Sequence, residues 1–252
     1  MKIIMITGAT SGFGEATARL FAKNGWRLIL TGRRKDRLER LQNELGGADI
    51  VHYCCFNISD RQAVENAFQS LPESFSNIDV LLNNAGLALG LDPADESNLD
   101  DWEQMVDTNI KGLMYCTRTM LPKMKQRGQG YIINIGSVAG NWPYPGGNVY
   151  CATKAFVRQF SLAIRADLLG SGIRVTNIEP GNAETEFSTV RFNNDEQRAE
   201  NVYQNTKALT ADDIAETVYW LVNTPTHVNV TTMEIMPTEQ STGALAVYRR
   251  DK

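Results

Sequence analysis

The chain has 252 residues, 42% of them hydrophobic, with 25 Lys+Arg against 29 Asp+Glu and a formal net charge of -4. Such length and apolar content suit one α/β domain, residues 1–252, large enough for a substantial core. The acidic balance, without a Lys/Arg run, gives no electrostatic footprint for nucleic acid or an anionic membrane, since phosphate binding needs clustered cations.

The first predicted strand is Ile3 to Thr7. Its apolar run stops at Thr7-Gly8, too short for a signal peptide, and no stretch approaches the roughly 20 apolar residues that span a bilayer, so a cytoplasmic protein is expected. Gly8, Gly12 and Gly14 follow in T-G-A-T-S-G-F-G and open a helix. Without Cβ atoms the turn can be tight and pyrophosphate can approach the backbone, while the helix start offers amides and a positive dipole. In a strand-to-helix context these glycines predict a dinucleotide site. That helix ends near Asn24-Gly25.

The second strand, Arg27 to Thr31, runs into Thr31-Gly32-Arg33-Arg34. The acid that meets ribose hydroxyls in NAD-binding folds is missing there. Arg33 offers a fork of donors suited to a 2'-phosphate and Arg34 adds a second positive charge, which predicts NADP. The third strand, Ile50 to Phe56, precedes Asn57-Ile58-Ser59-Asp60, whose side-chain oxygens can start a helix. After the fourth strand, Val80 to Asn83, a helical pattern runs from Trp102 toward Arg127, with a kink or restart expected at Leu121-Pro122.

The fifth strand, Tyr131 to Ile135, leads to Ser137 and a turn-rich segment, Gly140 to Asn148. The helix after it places Tyr150 and Lys154 at i, i+4, on one face, where the cation can favour the phenolate. An ordinary tyrosine pKa of about 10 would fall by two units for about 2.7 kcal/mol of differential stabilisation, making Tyr150 a base in alcohol oxidation and an acid in the reverse direction. The sixth strand, Ile173 to Ile178, is followed by a polar region from Gly181 to about Lys207, anchored by Phe187 and Phe192, whose composition suits a mobile substrate lid. The seventh strand is Met233 to Met236.

Alternating apolar strands and helices predict a doubly wound, Rossmann-type parallel sheet. Leu20, Phe21, Leu38, Leu41, Leu45, Val64, Phe68, Phe156, Phe160 and Ile164 fall at helical spacing and are expected in the core. Cys54, Cys55, Cys116 and Cys151 form no C-x-x-C pair, so they are expected as buried free thiols rather than as a metal site or disulfide framework. With only His52 and His227 and no G-x-S-x-G elbow, a serine hydrolase is disfavoured.

The chain resembles the short-chain dehydrogenase/reductase family in T-G-x-x-x-G-x-G at Thr7 to Gly14, N-N-A-G at Asn83 to Gly86 and Y-x-x-x-K at Tyr150 to Lys154, with Pro180-Gly181 and Thr185 also matching. The resemblance implies that Thr10, Ser11 and Phe13 share the cofactor loop with the glycines, that Asn84, Ala85 and Gly86 lie beside the adenosine ribose, and that Lys154 bonds the nicotinamide ribose. Asn57, where members usually carry an aspartate, and Ile58 fall at the adenine. Pro180, Gly181 and Thr185 fall at the nicotinamide carboxamide. Ser137 is implied to donate to the substrate oxygen, and Asn109 in D-T-N-I-K-G to maintain a water link toward Lys154. Glu179 and Glu184 are expected as solvated or helix-capping charges, because hydride transfer needs no paired carboxylates.

The C-terminal third is similar to the NADP-dependent 3-hydroxy acid dehydrogenases, in E-F-S-T-V-R-F at Glu186 to Phe192, Y-Q-N-T at Tyr203 to Thr206 and V-N-V-T-T-M-E-I-M-P at Val228 to Pro237. That similarity implies a small hydroxy acid or semialdehyde substrate, such as serine, L-allo-threonine or the 3-hydroxypropionate/malonic semialdehyde pair, and a homotetramer contacting through the long helices and the C-terminal strand. Arg191, in the lid, is the cation placed to clamp a substrate carboxylate. The alternatives are a general carbonyl or 3-oxoacyl reductase with a roomier pocket, and a non-catalytic NADPH sensor, which would not require Ser137, Tyr150 and Lys154.

Overall fold

Along β1 (Ile3–Ile6) every side chain is buried, the pattern of a strand covered on both faces. A computed structural model describes residues 1–243, and the predicted domain's residues 244–252 lie outside the described part. Six further strands join β1: β2 (Arg27–Gly32), β3 (Val51–Cys55), β4 (Val80–Asn83), β5 (Gly130–Ile135), β6 (Ile173–Pro180) and β7 (Thr232–Ile235). All pair in parallel in the order β3-β2-β1-β4-β5-β6-β7, so the doubly wound sheet is observed. The order reverses beside β1, and the crevice at the strands' carboxyl ends is where such sheets bind ligands.

Strand alternation divides the core in two. Ile4 and Ile6 face one layer with α1 (Gly12–Lys23), α2 (Lys35–Glu44) and α9 (Ala211–Val222), through Phe21, Leu38, Leu41 and Val218. Ile3 and Met5 face the other, with α3 (Arg61–Gln69), α5 (Leu113–Arg127) and α6 (Asn148–Asp167), through Val64, Phe68, Met120 and Ile164. Between sheet and helices runs a buried polar chain: Asn83 Nδ2 donates to Thr117 Oγ1 (3.0 Å) and Asn134 Oδ1 (2.8 Å), and Asn134 Nδ2 donates to Ser161 Oγ (2.8 Å).

Several expectations shift. The helix continues through the exposed Pro122, and the irregularity lies upstream, in a π-helical turn, Asp107–Gly112, between α4 (Leu99–Val106) and α5. Phe156 and Phe160 are only half-buried and stack on each other, centroids 5.5 Å apart, because α6 turns Val157, Ser161 and Ile164 inward. Leu20 and Leu45 are likewise half-buried, while of the thiols Cys55 is exposed and Cys54 half-buried. The polar region after β6 forms two short helices, α7 (Glu186–Arg191) and α8 (Glu196–Asn201), with Phe192 buried between them.

Candidate active site

The loop between β1 and α1 owes its shape to missing side chains. Gly8 has φ +66°, and a Cβ there would lie 2.8 Å from the Ala85 Cα; a Cβ on Gly14 would collide with the Gly8 carbonyl and lie 2.6 Å from Asn84 Nδ2. Thr7 Oγ1 accepts from the amides of Asn84 and Ala85, both at 3.0 Å, and Asn84 Nδ2 donates back to the carbonyls of Thr7 (2.9 Å) and Gly8 (3.0 Å). Thus Asn84 buttresses the loop, and Ala85 and Gly86 continue the same wall. The glycine loop and this segment line one cleft of about 1090 Å³ that also reaches Ser137, Tyr150 and Lys154.

At the cleft's outer end the arginines divide their work. Arg33 is exposed at the mouth. Arg34 donates from Nε (3.0 Å) and Nη2 (2.8 Å) to Thr10 Oγ1, from Nη2 to Ser11 Oγ (2.8 Å), and from Nη1 to Glu186 (3.0 Å). Arg37 meets Glu186 as well, at 2.7 Å. Arg37 and Glu186 were not singled out from the sequence, since a pairing across about 150 positions leaves no local signal. Asn57 and Ile58 line the cleft; Asn57 Oδ1 accepts from the Ser59 amide (3.2 Å), and Asp60 caps α3 by accepting from the Ala63 amide (3.0 Å).

Ser137 follows β5 and its Oγ accepts from the Ala139 amide (3.1 Å). Tyr150 and Lys154, both buried on α6, face the same cleft. The Lys154 Nζ donates to the Ile135 carbonyl at 2.9 Å and lies 5.8 Å from the Tyr150 ring centroid. Burial pushes the Lys154 pKa down to about 8. Burial also pushes the Tyr150 phenol up, with Tyr144 adding to the rise and Ser137 and Arg191 opposing it. The expected lysine-depressed tyrosine is not what burial produces here: removal from water disfavours the charged form of each group, raising the phenol and lowering the ammonium.

Asn109 sits in the π turn, where Oδ1 accepts from the Leu87 amide (2.9 Å) and Nδ2 donates to the Leu87 carbonyl (2.8 Å) and Thr153 Oγ1 (3.1 Å). It touches the catalytic helix through Lys154's neighbour. Pro180 and Gly181 end β6, and Thr185 caps α7 by accepting from the Phe187 amide (3.2 Å) while standing against Gly12. Glu184 is exposed, as expected. Glu179 is not: it is 1% exposed and accepts from Asn177 and Asn141, each at 2.7 Å, with Arg158 at 3.5 Å, while burial raises its pKa. Strand β6 is buried from Val175 to Pro180, so a charge there must find donors inside the protein.

Arg191, at the end of α7, comes to Tyr150. Its Nε donates to the Gly90 carbonyl (3.0 Å) and Nη1 to the Tyr144 hydroxyl (2.9 Å), while the buried Nη2 has no partner among the described residues. Phe187 packs on Tyr150, centroids 5.6 Å apart. Tyr144 and Phe187 complete the wall; in sequence the Gly140 to Asn148 segment reads only as turn-rich, and nothing in it distinguishes Tyr144.

A glycine cradle at the crevice of a parallel sheet, opening onto a buried tyrosine and lysine, defines a nucleotide-dependent dehydrogenase. The chain belongs to the short-chain dehydrogenase family, whose model matches residues 2–196. Over 249 residues it is 54% identical to an NADP-dependent 3-hydroxy acid dehydrogenase of Escherichia coli, covering 98% of this chain and 100% of the relative. A serine 3-dehydrogenase of Agrobacterium fabrum is 52% identical over 246 residues, 98% of either chain. The closed form of serine dehydrogenase complexed with NADP+ superposes with a TM-score of 0.96 at 54% identity, covering 98% of this chain and 100% of that one.

Two outcomes are expected of this site. Tyr150→Phe should fold and bind NADPH but lose about 10²-fold to 10⁴-fold in turnover, the range for a positioned acid/base; near wild-type turnover would remove Tyr150 from the chemistry. Because the native Lys154 pKa, about 8, lies below its ordinary 10.5, the unfolded chain binds more protons between those values. Hence, without ligand, the unfolding free energy of wild type relative to Lys154→Met should rise with pH from about 8 to 10.5 and stay flat below; urea titrations across that range measure it, and a falling difference would contradict the burial.

Proposed function

We propose that this chain is an NADP-dependent oxidoreductase that moves a hydride between the cofactor and a small 3-hydroxy acid of the serine, L-allo-threonine or 3-hydroxypropionate type. The observation that carries the reading is Arg191, which lines the cleft with Tyr150 and Ser137 and whose buried Nη2 has no partner among the described residues. The similarity to NADP-dependent 3-hydroxy acid and serine dehydrogenases over nearly the whole chain supports the same substrate class.

The residues present fit NADP. Cβ atoms on Gly8 and Gly14 would fill the cradle, Thr10, Ser11 and Phe13 border it with Gly12, and Arg33 and Arg34 suit the 2'-phosphate. Asn57 and Ile58 would hold the adenine, Asn84, Ala85 and Gly86 the adenosine ribose, Lys154 the nicotinamide ribose, and Pro180, Gly181 and Thr185 the carboxamide. When bound, NADP accepts the hydride in oxidation and NADPH returns it in reduction. The chain's own work is to handle the proton and hold the substrate. In oxidation the phenolate of Tyr150 takes the hydroxyl proton as Ser137 donates to the same oxygen; in reduction Tyr150 gives that proton back. Arg191 grips the carboxylate, and Asn109 holds the lysine's helix through Thr153.

We also infer that residues 181–207 close over the site, that the enzyme is cytoplasmic, and that it assembles as a homotetramer, for which the stacked Phe156 and Phe160 and the exposed Trp220 and Leu169 offer contact surface. No helix among the described residues is long and apolar enough to cross a membrane.

The first test is a purified-enzyme screen of 3-hydroxypropionate, serine and L-allo-threonine with NADP and NAD; no turnover of any 3-hydroxy acid would sink the proposal. Arg33→Ala should cut NADP over NAD selectivity at least roughly tenfold, since charge-assisted bonds contribute about 1.5–3 kcal/mol. An unchanged ratio would shift the role to Arg34. Arg191→Ala should lower kcat/KM for 3-hydroxypropionate much more than for uncharged alcohols of similar size. Equal losses would mean that Arg191 does not bind the carboxylate.

A further inference from the structure

Two cations flank the Tyr150 ring at nearly the same distance. Lys154 Nζ lies 5.8 Å from the ring centroid, on the same helix, and Arg191 Cζ lies 5.6 Å away, brought by α7. Their circumstances differ. The lysine is buried, gives a bond to the Ile135 carbonyl, and has its pKa drawn down to about 8, so it surrenders its charge in the alkaline range. A guanidinium keeps its charge throughout that range.

The arginine is also fixed. Its Nε is bonded to the Gly90 carbonyl and its Nη1 to the Tyr144 hydroxyl, while the Gly90 amide donates to Arg191's own carbonyl at 3.0 Å. Three segments thereby set one guanidinium: the loop after β4, the loop before α6, and α7. Both occupied nitrogens meet neutral oxygens, so these bonds leave its charge uncancelled.

We infer that Arg191 is a second cation on the catalytic tyrosine, delivered by α7, and that formation of the Tyr150 phenolate depends on it. The groups facing Tyr150 are Lys154 and Cys151 from α6, Tyr144 from the loop before it, Ser137 after β5, and Arg191 with the uncharged Phe187 from α7. Among them Tyr144 and Cys151 oppose ionisation, and Ser137 and Arg191 favour it. A guanidinium beside the tyrosine in a site removed from water favours the phenolate. Because α7 supplies Arg191, the support that the tyrosine receives depends on where that helix sits.

The inference rests on Tyr150 being the acid/base and is separable from the carboxylate grip. The substrate for the test is 3-hydroxypropanamide, which is uncharged and makes no ion pair with Arg191. In oxidation with NADP, the pH midpoint of the rising limb of kcat/KM should move up by about one unit in Arg191→Met, equivalent to tenfold less phenolate at a given lower pH. Arg191→Lys should recover most of the shift. Melting temperature and NADPH affinity report folding.

A second measurement needs no turnover: the tyrosinate absorbance titration of each protein minus that of its Tyr150→Phe counterpart should show the same upward displacement in Arg191→Met. Coincident midpoints in the titration, with or without a loss of rate, would overturn the inference and leave Arg191 with the carboxylate alone. Turnover retained in Tyr150→Phe would instead overturn the catalytic reading beneath it.

Discussion

Lys154 donates a buried hydrogen bond to the Ile135 carbonyl, and the site is organised around it. The bond joins the middle of the catalytic helix to the end of β5, two residues before Ser137. A lysine withdrawn from water is costly as a cation, and a single carbonyl restores only part of its hydration. The drop of its pKa to about 8 is the consequence. A tyrosine beside it is pushed the opposite way by the same burial. The raised phenol makes removal of its proton costlier, so a phenolate at Tyr150 needs positive charge or hydrogen-bond donors beside it.

Holding α6 in register takes more than that bond. Asn109 reaches Thr153 from the π turn, where the widened helix aims its side chain at both Leu87 and the catalytic helix. One turn beyond Lys154, Arg158 meets Asn141 and the buried Glu179, and Glu179 accepts from Asn141 and Asn177. These contacts tie the segment after Ser137 to α6 and β6 together. Misplacing reacting groups by an ångström costs orders of magnitude in rate, so a buried carboxylate with donors on three sides has a function even though it never touches a reacting atom.

The fold was legible because parallel strands buried on both faces are largely apolar, as β1 and β4 and the inner parts of β2 and β5 are. The glycine loop, Tyr150 and Lys154 were legible because their spacing is local. What escaped was non-local or a matter of phase. Phe156 and Phe160 have the right residue type and period for a core, but Val157 wins the inward position one residue on. Pro122 has no effect on helix continuity because it lies on the exposed side of α5, whereas the real irregularity falls in D-T-N-I-K-G, which carries no helix breaker before its final glycine. Glu179 appeared solvated because its donors, Asn141 and Arg158, are distant in sequence. Burial of a charge cannot be inferred until its partners are known.

Helix α7 connects the two ends of the cleft. Its first residue, Glu186, pairs with Arg34 and Arg37 beside the glycine loop, and its last, Arg191, lies over Tyr150. Six residues of helix are about 9 Å long. Exposed ion pairs are individually weak, but Glu186 joins two guanidiniums that are themselves fastened to Thr10 and Ser11. A rigid rod pinned at one end restricts the other. Whatever stabilises Arg34 and Arg37 at the cofactor end therefore also limits where Arg191 can sit, and the two cationic ends of the cleft respond to one short element rather than to two independent loops.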